Sequence, residues 1–249
     1  MNPPRPEKDR HLVERYRRKA ARYDADWARY TVGTLRRSLE HLSWQGNERV
    51  LDIGCGTGEV ERLLLPLLPE LRLVALDLSA DMLEIARAKF SPRFALRWLR
   101  GHAQHLPFAD GSFDVVLNLN AFHYFDHPVE TLREFRRVLA PGGACVLTDW
   151  CTDRWRFRAI DLGMRLFDPA HHRIHRSAAL RETFAAAGFE DVRLETYGVG
   201  WFWGMATVSG CAPRSSELAP RERNAAPIAR PEMQHGRARA ARSGRVPST

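Results

Sequence analysis

The chain has 249 residues, 44% of them apolar, which suits one α/β domain of about 200 residues with a sizeable core. Its net charge of +8 splits into +5 over residues 1–22, +5 over residues 211–249 and −2 over the body between them, so no basic nucleic-acid face is expected on the folded part. No apolar run reaches the roughly 18–20 residues of a membrane span, the charged first turn of sequence lacks the core of a secretion signal, and the four cysteines form no CxxC pair, which together point to the cytoplasm.

In chain order the periodicities alternate between strand and helix. Arg49–Ile53 is predicted as a strand, Thr57–Leu68 as a helix with Pro69 behind it, and Leu71–Asp77 as a second strand. Ser79 is placed to cap a helix running to Phe90, followed by strands at Phe94–Leu99 and Phe113–Leu119. A helix from Pro128 to Leu139 is expected to stop at Pro141-Gly142-Gly143, with a fifth strand at Ala144–Trp150. Residues 177–187 read as a helix ending at Gly188, and Glu190–Tyr197 with Gly200–Val208 as an antiparallel pair joined by a tight turn. Strands separated by helices of this length imply βαβ units and a parallel sheet. Residues 150–176 stand out as an insertion after the fifth strand. Residues 211–249, rich in Arg, Ala, Pro and Ser without a periodic apolar face, are expected to be a disordered basic tail.

The turn after the first predicted strand carries the most chemistry. Val50-Leu51-Asp52-Ile53-Gly54-Cys55-Gly56-Thr57-Gly58 is an apolar run with an acid near its end, then three glycines at every second position. Such a strand empties into a turn whose backbone must come close to a ligand. A dinucleotide fingerprint needs glycine where Glu59 stands, and a phosphate loop needs Gly-Lys-Ser/Thr where the chain has Gly58-Glu59-Val60. An acid at the ligand end suits an ammonium better than a polyphosphate. These features argue against a nucleotide-dependent oxidoreductase.

Taken with later segments, this stretch resembles motif I of the class I S-adenosylmethionine (SAM) dependent methyltransferases, closest to the small-molecule branch that includes quinone-biosynthesis C-methyltransferases. The later segments are Asp77-Leu78-Ser79-Ala80-Asp81-Met82-Leu83, Gly101-His102-Ala103-Gln104-His105-Leu106-Pro107-Phe108, Phe113-Asp114-Val115-Val116 and the run from Phe135 to Gly143. The resemblance runs from about Tyr16 to Val208. It implies a Rossmann-like α/β fold, a seven-stranded mostly parallel sheet with the last strand antiparallel, and SAM as cofactor.

It also implies roles. Asp52 would attract the ammonium, and Gly54, Cys55, Gly56 and Gly58 would let the backbone approach the methionine end. Asp77, with Leu78 beside it, would accept from both ribose hydroxyls. Met82 would line the adenine pocket, or simply fill the core. The turn His102, Ala103, Gln104 would meet adenine, although His102 stands where the family carries an acid; a neutral imidazole can still accept one hydrogen bond there. Asn118 opens the loop that faces the reacting methyl. In that loop His123 is the candidate general base, with His127 behind it and a packing role as the alternative. Arg22-Tyr23-Asp24-Ala25-Asp26-Trp27 resembles the segment that folds over the donor. Residues 1–45 are therefore expected to form a helical lid in which Tyr23 closes the site, unless they form an amphipathic helix touching no ligand. Residues 46–210 would be the SAM-binding domain.

The implied activity is methyl transfer to a small-molecule acceptor by in-line displacement, in which the enzyme mainly supplies alignment and a dry pocket. A non-catalytic SAM-binding regulator or partner subunit is the rival. Trp150, Trp155, Phe157, Trp201 and Trp203 suggest an apolar or aromatic acceptor. A nucleic-acid methyltransferase is disfavoured by the slightly acidic body and by the lack of an Asn/Asp-Pro-Pro-aromatic run after the fourth strand. The insertion carries Trp155, Ala159, Leu162 and Leu166 at helical spacing, so it reads as a cap over the acceptor site or as an amphipathic edge helix. His171 and His175 stand four apart but lack a Glu or Cys partner, and no metal is expected.

Overall fold

The computed structural model describes residues 6–90, 94–153, 157, 161–163, 166, 174–199 and 203–214. A long helix α1 (Pro6–Leu39) opens the chain. Then follow β1 (Arg49–Ile53), α2 (Glu59–Leu64), β2 (Arg72–Asp77), α3 (Ala80–Ala88), β3 (Leu96–Arg100) and β4 (Phe113–Leu119). A 3-10 turn (Phe122–Tyr124) leads to α4 (Pro128–Val138), β5 (Leu139–Trp150), α5 (Ser177–Ala186), β6 (Glu190–Val199) and β7 (Trp203–Cys211). The strands form one seven-stranded sheet in the order β3-β2-β1-β4-β5-β7-β6. The first five are parallel, and β7 runs antiparallel to both β5 and β6. This is the sheet order and strand sense of the class I methyltransferase fold.

The period-2 alternation of strands sorts the core onto both faces of the sheet. Val50, Leu73, Val115, Leu117 and Val146 pack with Leu35 of α1, Val60 and Leu64 of α2 and Leu83 of α3. Their neighbours Leu51, Ile53, Val116 and Leu147 face the other way, onto Leu132 and Phe135 of α4 and Leu180 and Phe184 of α5. Asp52 shares the face of Val50, so its side chain is directed towards α2. The sheet reverses its order between β1 and β4, and a crevice opens there at the carboxyl ends of the strands.

Element ends follow local chemistry. Ser79 caps α3 by accepting from the Met82 N–H at 3.4 Å. Pro128 begins α4, where its missing N–H costs nothing. One boundary differs from expectation. Helix α4 ends at Val138 and β5 starts at once at Leu139, with Pro141-Gly142-Gly143 inside the strand. Phe113 pairs with Leu139 while Val115 pairs with Ala144, so the ladder skips residues 140–143 as a bulge. Gly142 makes this feasible at φ +73°.

The C-terminal half of α1 is tied to the sheet. Ser38 Oγ lies 2.5 Å from Thr148 Oγ1, which lies 2.7 Å from Thr207 Oγ1, a chain of buried hydroxyls crossing from helix to strands. Arg37 donates to Glu195 at 2.5 Å and sits 4.9 Å above the Tyr197 ring. At about 1.5 Å per residue, the helix is long enough to continue across the carboxyl ends of the strands. In the insertion, Phe157 is fully buried whereas Leu162 and Leu166 are 61% and 70% exposed, so the expected apolar stripe does not all turn inward. Trp155, Ala159, His171, Trp201 and the tail beyond residue 214 lie outside the described residues. Among the described residues no helix is long and apolar enough to cross a membrane, and no group of three His, Cys, Asp or Glu is placed to hold a metal.

Candidate functional site

An open cavity sits at the carboxyl ends of β1, β2 and β3, beneath the N-terminal half of α1. Its floor is the glycine turn. Gly54, Gly56 and Gly58 all hold positive φ (+75°, +56° and +84°), where a Cβ is strained. Their surroundings differ. A Cβ on Gly54 would come 2.8 Å from Ala121 Cβ, so glycine there lets β1 and the β4 loop close together. A Cβ on Gly56 would meet nothing within 4 Å, because this residue faces the cavity. A Cβ on Gly58 would meet Trp98 Cη2 at 2.8 Å. Gly58 is expected from the sequence as a ligand contact, but it serves the close packing of α2 onto α3 and β3 and does not line the cavity.

Three polar strand ends follow one another across the sheet. Asp77 closes β2: its Oδ2 accepts from the Gly56 N–H at 2.9 Å and its Oδ1 from the Ser79 N–H at 2.8 Å. Burial raises its pKa, and those N–H groups work against the rise. Each oxygen keeps a lone pair for a further donor. Asp52 near the end of β1 is 1% exposed, lines the cavity, and is pushed up to about 7 chiefly by burial. Its neighbour is Glu61 of α2, 0% exposed and raised well above the ordinary range by burial and by the Asp52 charge. Among the described residues no donor reaches Asp52 Oδ2 or either Glu61 oxygen, and the Asp52 charge helps to hold the proton on Glu61. After β3 come His102, Ala103 and Gln104, with Leu78 and Met82 opposite, all lining the cavity. Adjacent strands lie about 4.8 Å apart, so the three ends span roughly 10 Å.

The β4 end holds two surprises for the sequence reading. Asn118 is buried under the cavity floor, where its Nδ2 donates to the Ile53 carbonyl at 2.8 Å, and it does not reach the lining. His123, the expected base, is 2% exposed and also absent from the lining. Its Nδ1 is 2.9 Å from Asp149 Oδ1, its backbone N–H donates to Asp149 Oδ2 at 2.7 Å, and its ring stacks on Trp150 at 4.7 Å. These contacts turn the imidazole into the protein and fix the 3-10 turn. The neighbouring Ala121, Tyr124, Phe125 and Asp126 line the cavity instead.

The sequence reading expects a helical lid over residues 1–45 but names only one of the residues by which this roof meets the cavity. Lys8, Asp9, Leu12, Val13, Tyr16 and Tyr23 of α1 all line the cavity. Only Tyr23 is expected from the sequence. The spacing of Leu12, Val13, Tyr16 and Tyr23 is the signal that was available: one helical stripe in an otherwise charged segment. The roof is fastened at several points. Lys8 Nζ donates to the Tyr124 carbonyl at 3.0 Å and to Asp126 at 2.5 Å, and the Tyr16 and Tyr124 hydroxyls are 3.1 Å apart. Asp24 accepts from Thr57 Oγ1 at 2.5 Å and pairs with Lys89, which also donates to the Thr57 carbonyl at 2.9 Å. Tyr30 donates to Asn120 at 2.8 Å.

The donor set fits the cofactor that the sequence resemblance implies. Asp52 offers a buried oxygen that an ammonium would satisfy, Gly56 an open backbone approach, and Asp77 two oxygens suited to a diol.

Comparison with known proteins agrees. Residues 51–147 match the family model described as a methyltransferase domain. The ubiquinone/menaquinone biosynthesis C-methyltransferase of Desulfotalea psychrophila is 30% identical over 205 residues, covering 73% of this chain and 80% of that protein. The malonyl-[acyl-carrier protein] O-methyltransferase of a Marinomonas species is 33% identical over 139 residues, 56% of this chain and 51% of that one. The chain spans about half the length of several curated relatives it matches. Among solved structures, the methyltransferase of Haloferax volcanii in complex with the Trm112 activator superposes with TM-score 0.71 at 23% identity. That match covers 81% of this chain and 97% of the other, and it shows a shared fold.

Proposed function

The chain belongs to the class I S-adenosylmethionine-dependent methyltransferases, and from that premise we propose that it transfers a methyl group from SAM to a small, apolar or aromatic acceptor. The row of strand-end groups carries the reading: Asp52, Asp77 and the 102–104 turn, side by side along β1, β2 and β3 above the glycine turn. Its order matches a ligand whose cationic, diol and heteroaromatic parts follow one another. Bound SAM supplies a sulfonium methyl carbon for in-line attack. Asp52 would hold the ammonium, the backbone at Gly54 and Gly56 would flank the methionine end, and Asp77 would take the ribose hydroxyls.

The acceptor class is supported by the opposite wall. Leu12, Val13, Tyr16, Tyr124 and Phe125 form a largely apolar, phenolic stretch of the lining. Burial raises the Tyr16 and Tyr124 pKa values, so both hydroxyls stay neutral and orient an acceptor by hydrogen bonding instead of removing its proton. The relatives named for quinone biosynthesis and for an acyl-carrier substrate act on small or carrier-borne groups, which agrees with an acceptor of this kind. Residue His123 acts in this reading as a positioning residue for the Tyr124 turn.

Calorimetric titration with S-adenosylhomocysteine tests the donor site. Wild type is expected to bind, and Asp77→Ala to bind about tenfold to a hundredfold more weakly, the worth of hydrogen bonds to a charged acceptor. A folded wild type that does not bind would sink the proposal. Label transfer from methyl-labelled SAM to a panel of reduced quinones and hydroxylated aromatics tests the acceptor. Firm donor binding without transfer to any of them would favour a non-catalytic SAM-binding role.

A further inference from the structure

The adenine end of the cavity departs from the expectation that His102 receives the adenine amino group. Gln104 donates its backbone N–H to His102 Nδ1 at 3.2 Å. That bond consumes the ring's accepting nitrogen and makes Nδ1 the unprotonated one. Half-burial lowers the pKa of His102, which keeps the ring neutral, so its single hydrogen lies on Nε2. The Nε2 atom faces Asp9 Oδ2 at 3.6 Å. One ring nitrogen thus accepts, and the other carries the hydrogen and turns it towards a carboxylate just beyond hydrogen-bond distance. Neither can accept from an incoming N–H.

The carboxylate it faces lines the same cavity and sits on α1. Two other acceptors near this corner are engaged by Lys8, whose Nζ donates to Asp126 Oδ1 and to the Tyr124 carbonyl. Asp9 approaches His102 with one oxygen and keeps the other for a donor, and its side chain is 27% exposed, shielded but reachable.

From this geometry we propose that Asp9 of α1, which lies beside His102, is the group that accepts the exocyclic amino group of the cofactor's adenine. The inference rests on the SAM reading of the cavity. It means that the acid missing from the 102 position is supplied in space by a residue more than ninety positions earlier in the chain, and that recognition of the base and closure of α1 are one event. Asp9 is therefore a specificity-determining residue. A ligand that presents an acceptor where adenine presents its amino group would meet a carboxylate and be rejected.

The test compares S-adenosylhomocysteine with S-inosylhomocysteine, which has a carbonyl in place of the amino group, by calorimetry on the full chain. Wild type is expected to favour the adenosyl compound by about tenfold or more, the usual worth of a hydrogen bond to a charged group. In Asp9→Ala that preference should collapse, through weaker adenosyl binding with inosyl affinity equal to or above wild type. Retained inosyl affinity also shows that the variant is folded with its roof in place. The isosteric Asp9→Asn keeps an acceptor oxygen and should recover part of the preference. A preference unchanged in both variants would overturn the inference and leave the cofactor reading standing. Wild type that binds neither compound would overturn both.

Discussion

Replacing Glu61 with glutamine isolates the one place where the fold works against itself. The ordinary pKa of Glu61 is 4.5, and burial beside the Asp52 charge holds it well above that in the folded chain. In the unfolded chain the same carboxyl ionises near its ordinary value. Above that value the folded state binds the extra proton, so stability falls as pH rises. Glu61 imposes no penalty below about pH 4, and the penalty grows with pH above it until the folded carboxyl itself ionises. A glutamine amide cannot ionise, and one N–H can donate to Asp52 Oδ2. Its second N–H would be buried without a partner, which costs about 1 kcal/mol or more. Glu61→Gln should therefore be no more stable than wild type at pH 4 and should gain on it in melting temperature as pH rises towards 8. Thermal denaturation at half-unit steps from pH 4 to pH 8 checks it. Curves that stay parallel across the range would refute the reasoning, because they would mean that Glu61 ionises freely in the folded chain.

Two further substitutions separate packing from chemistry. His123→Ala leaves Asp149, 2% exposed, without the imidazole, and should cost about 3 kcal/mol in urea denaturation while S-adenosylhomocysteine affinity stays within about twofold. A variant of wild-type stability whose methyl transfer is abolished would instead make His123 the base. Gly58→Ala forces a Cβ against Trp98 at φ +84°, and should destabilise by about 2–4 kcal/mol, read from the denaturation midpoint. An alanine variant as stable as wild type would show that α2 can shift away from β3 at no cost.

Much of the sheet was legible because its signals are local. Predicted Arg49–Ile53 and Phe113–Leu119 match β1 and β4 to the residue, since a buried parallel strand shows as a mostly apolar run between turn residues. The cap at Ser79 was readable for the same reason: an N-cap needs only its own side chain and an N–H three residues on. Asp52 and Asp77 stood out because each acid closes an apolar strand, and the sheet brings both to one edge without help from distant residues. The start of β5 was misread because Pro-Gly-Gly punctuates a helix end and a bulged strand in the same letters. Which of these it marks depends on Phe113 pairing with Leu139, a contact between different elements.

What could not be read was what depends on an approach in space. His123 in a loop beside the site has the composition of a base, and only its distance of 2.9 Å to Asp149, 26 residues later, makes it a fastening. Glu61 in the third position of a helix looks like a solvated acid in the first turn. It becomes a buried partner because β1 alternation aims Asp52 at that face of α2. The same holds for the roof. The sequence reading of this segment as a lid left open which of its charges are paired, and the structure joins Lys8 to Asp126 and both Arg17 and Arg18 to Glu14. Once those pairs are set aside, the remaining stripe of Asp9, Leu12, Val13, Tyr16 and Tyr23 lines the cavity. In the proposed reading the strand ends would hold the ammonium and the diol from the sheet, and α1 would form the facing wall. A chain lacking the first turns of α1 would therefore keep its fold, anchored through Ser38 and Thr148, and lose the roof of the cavity.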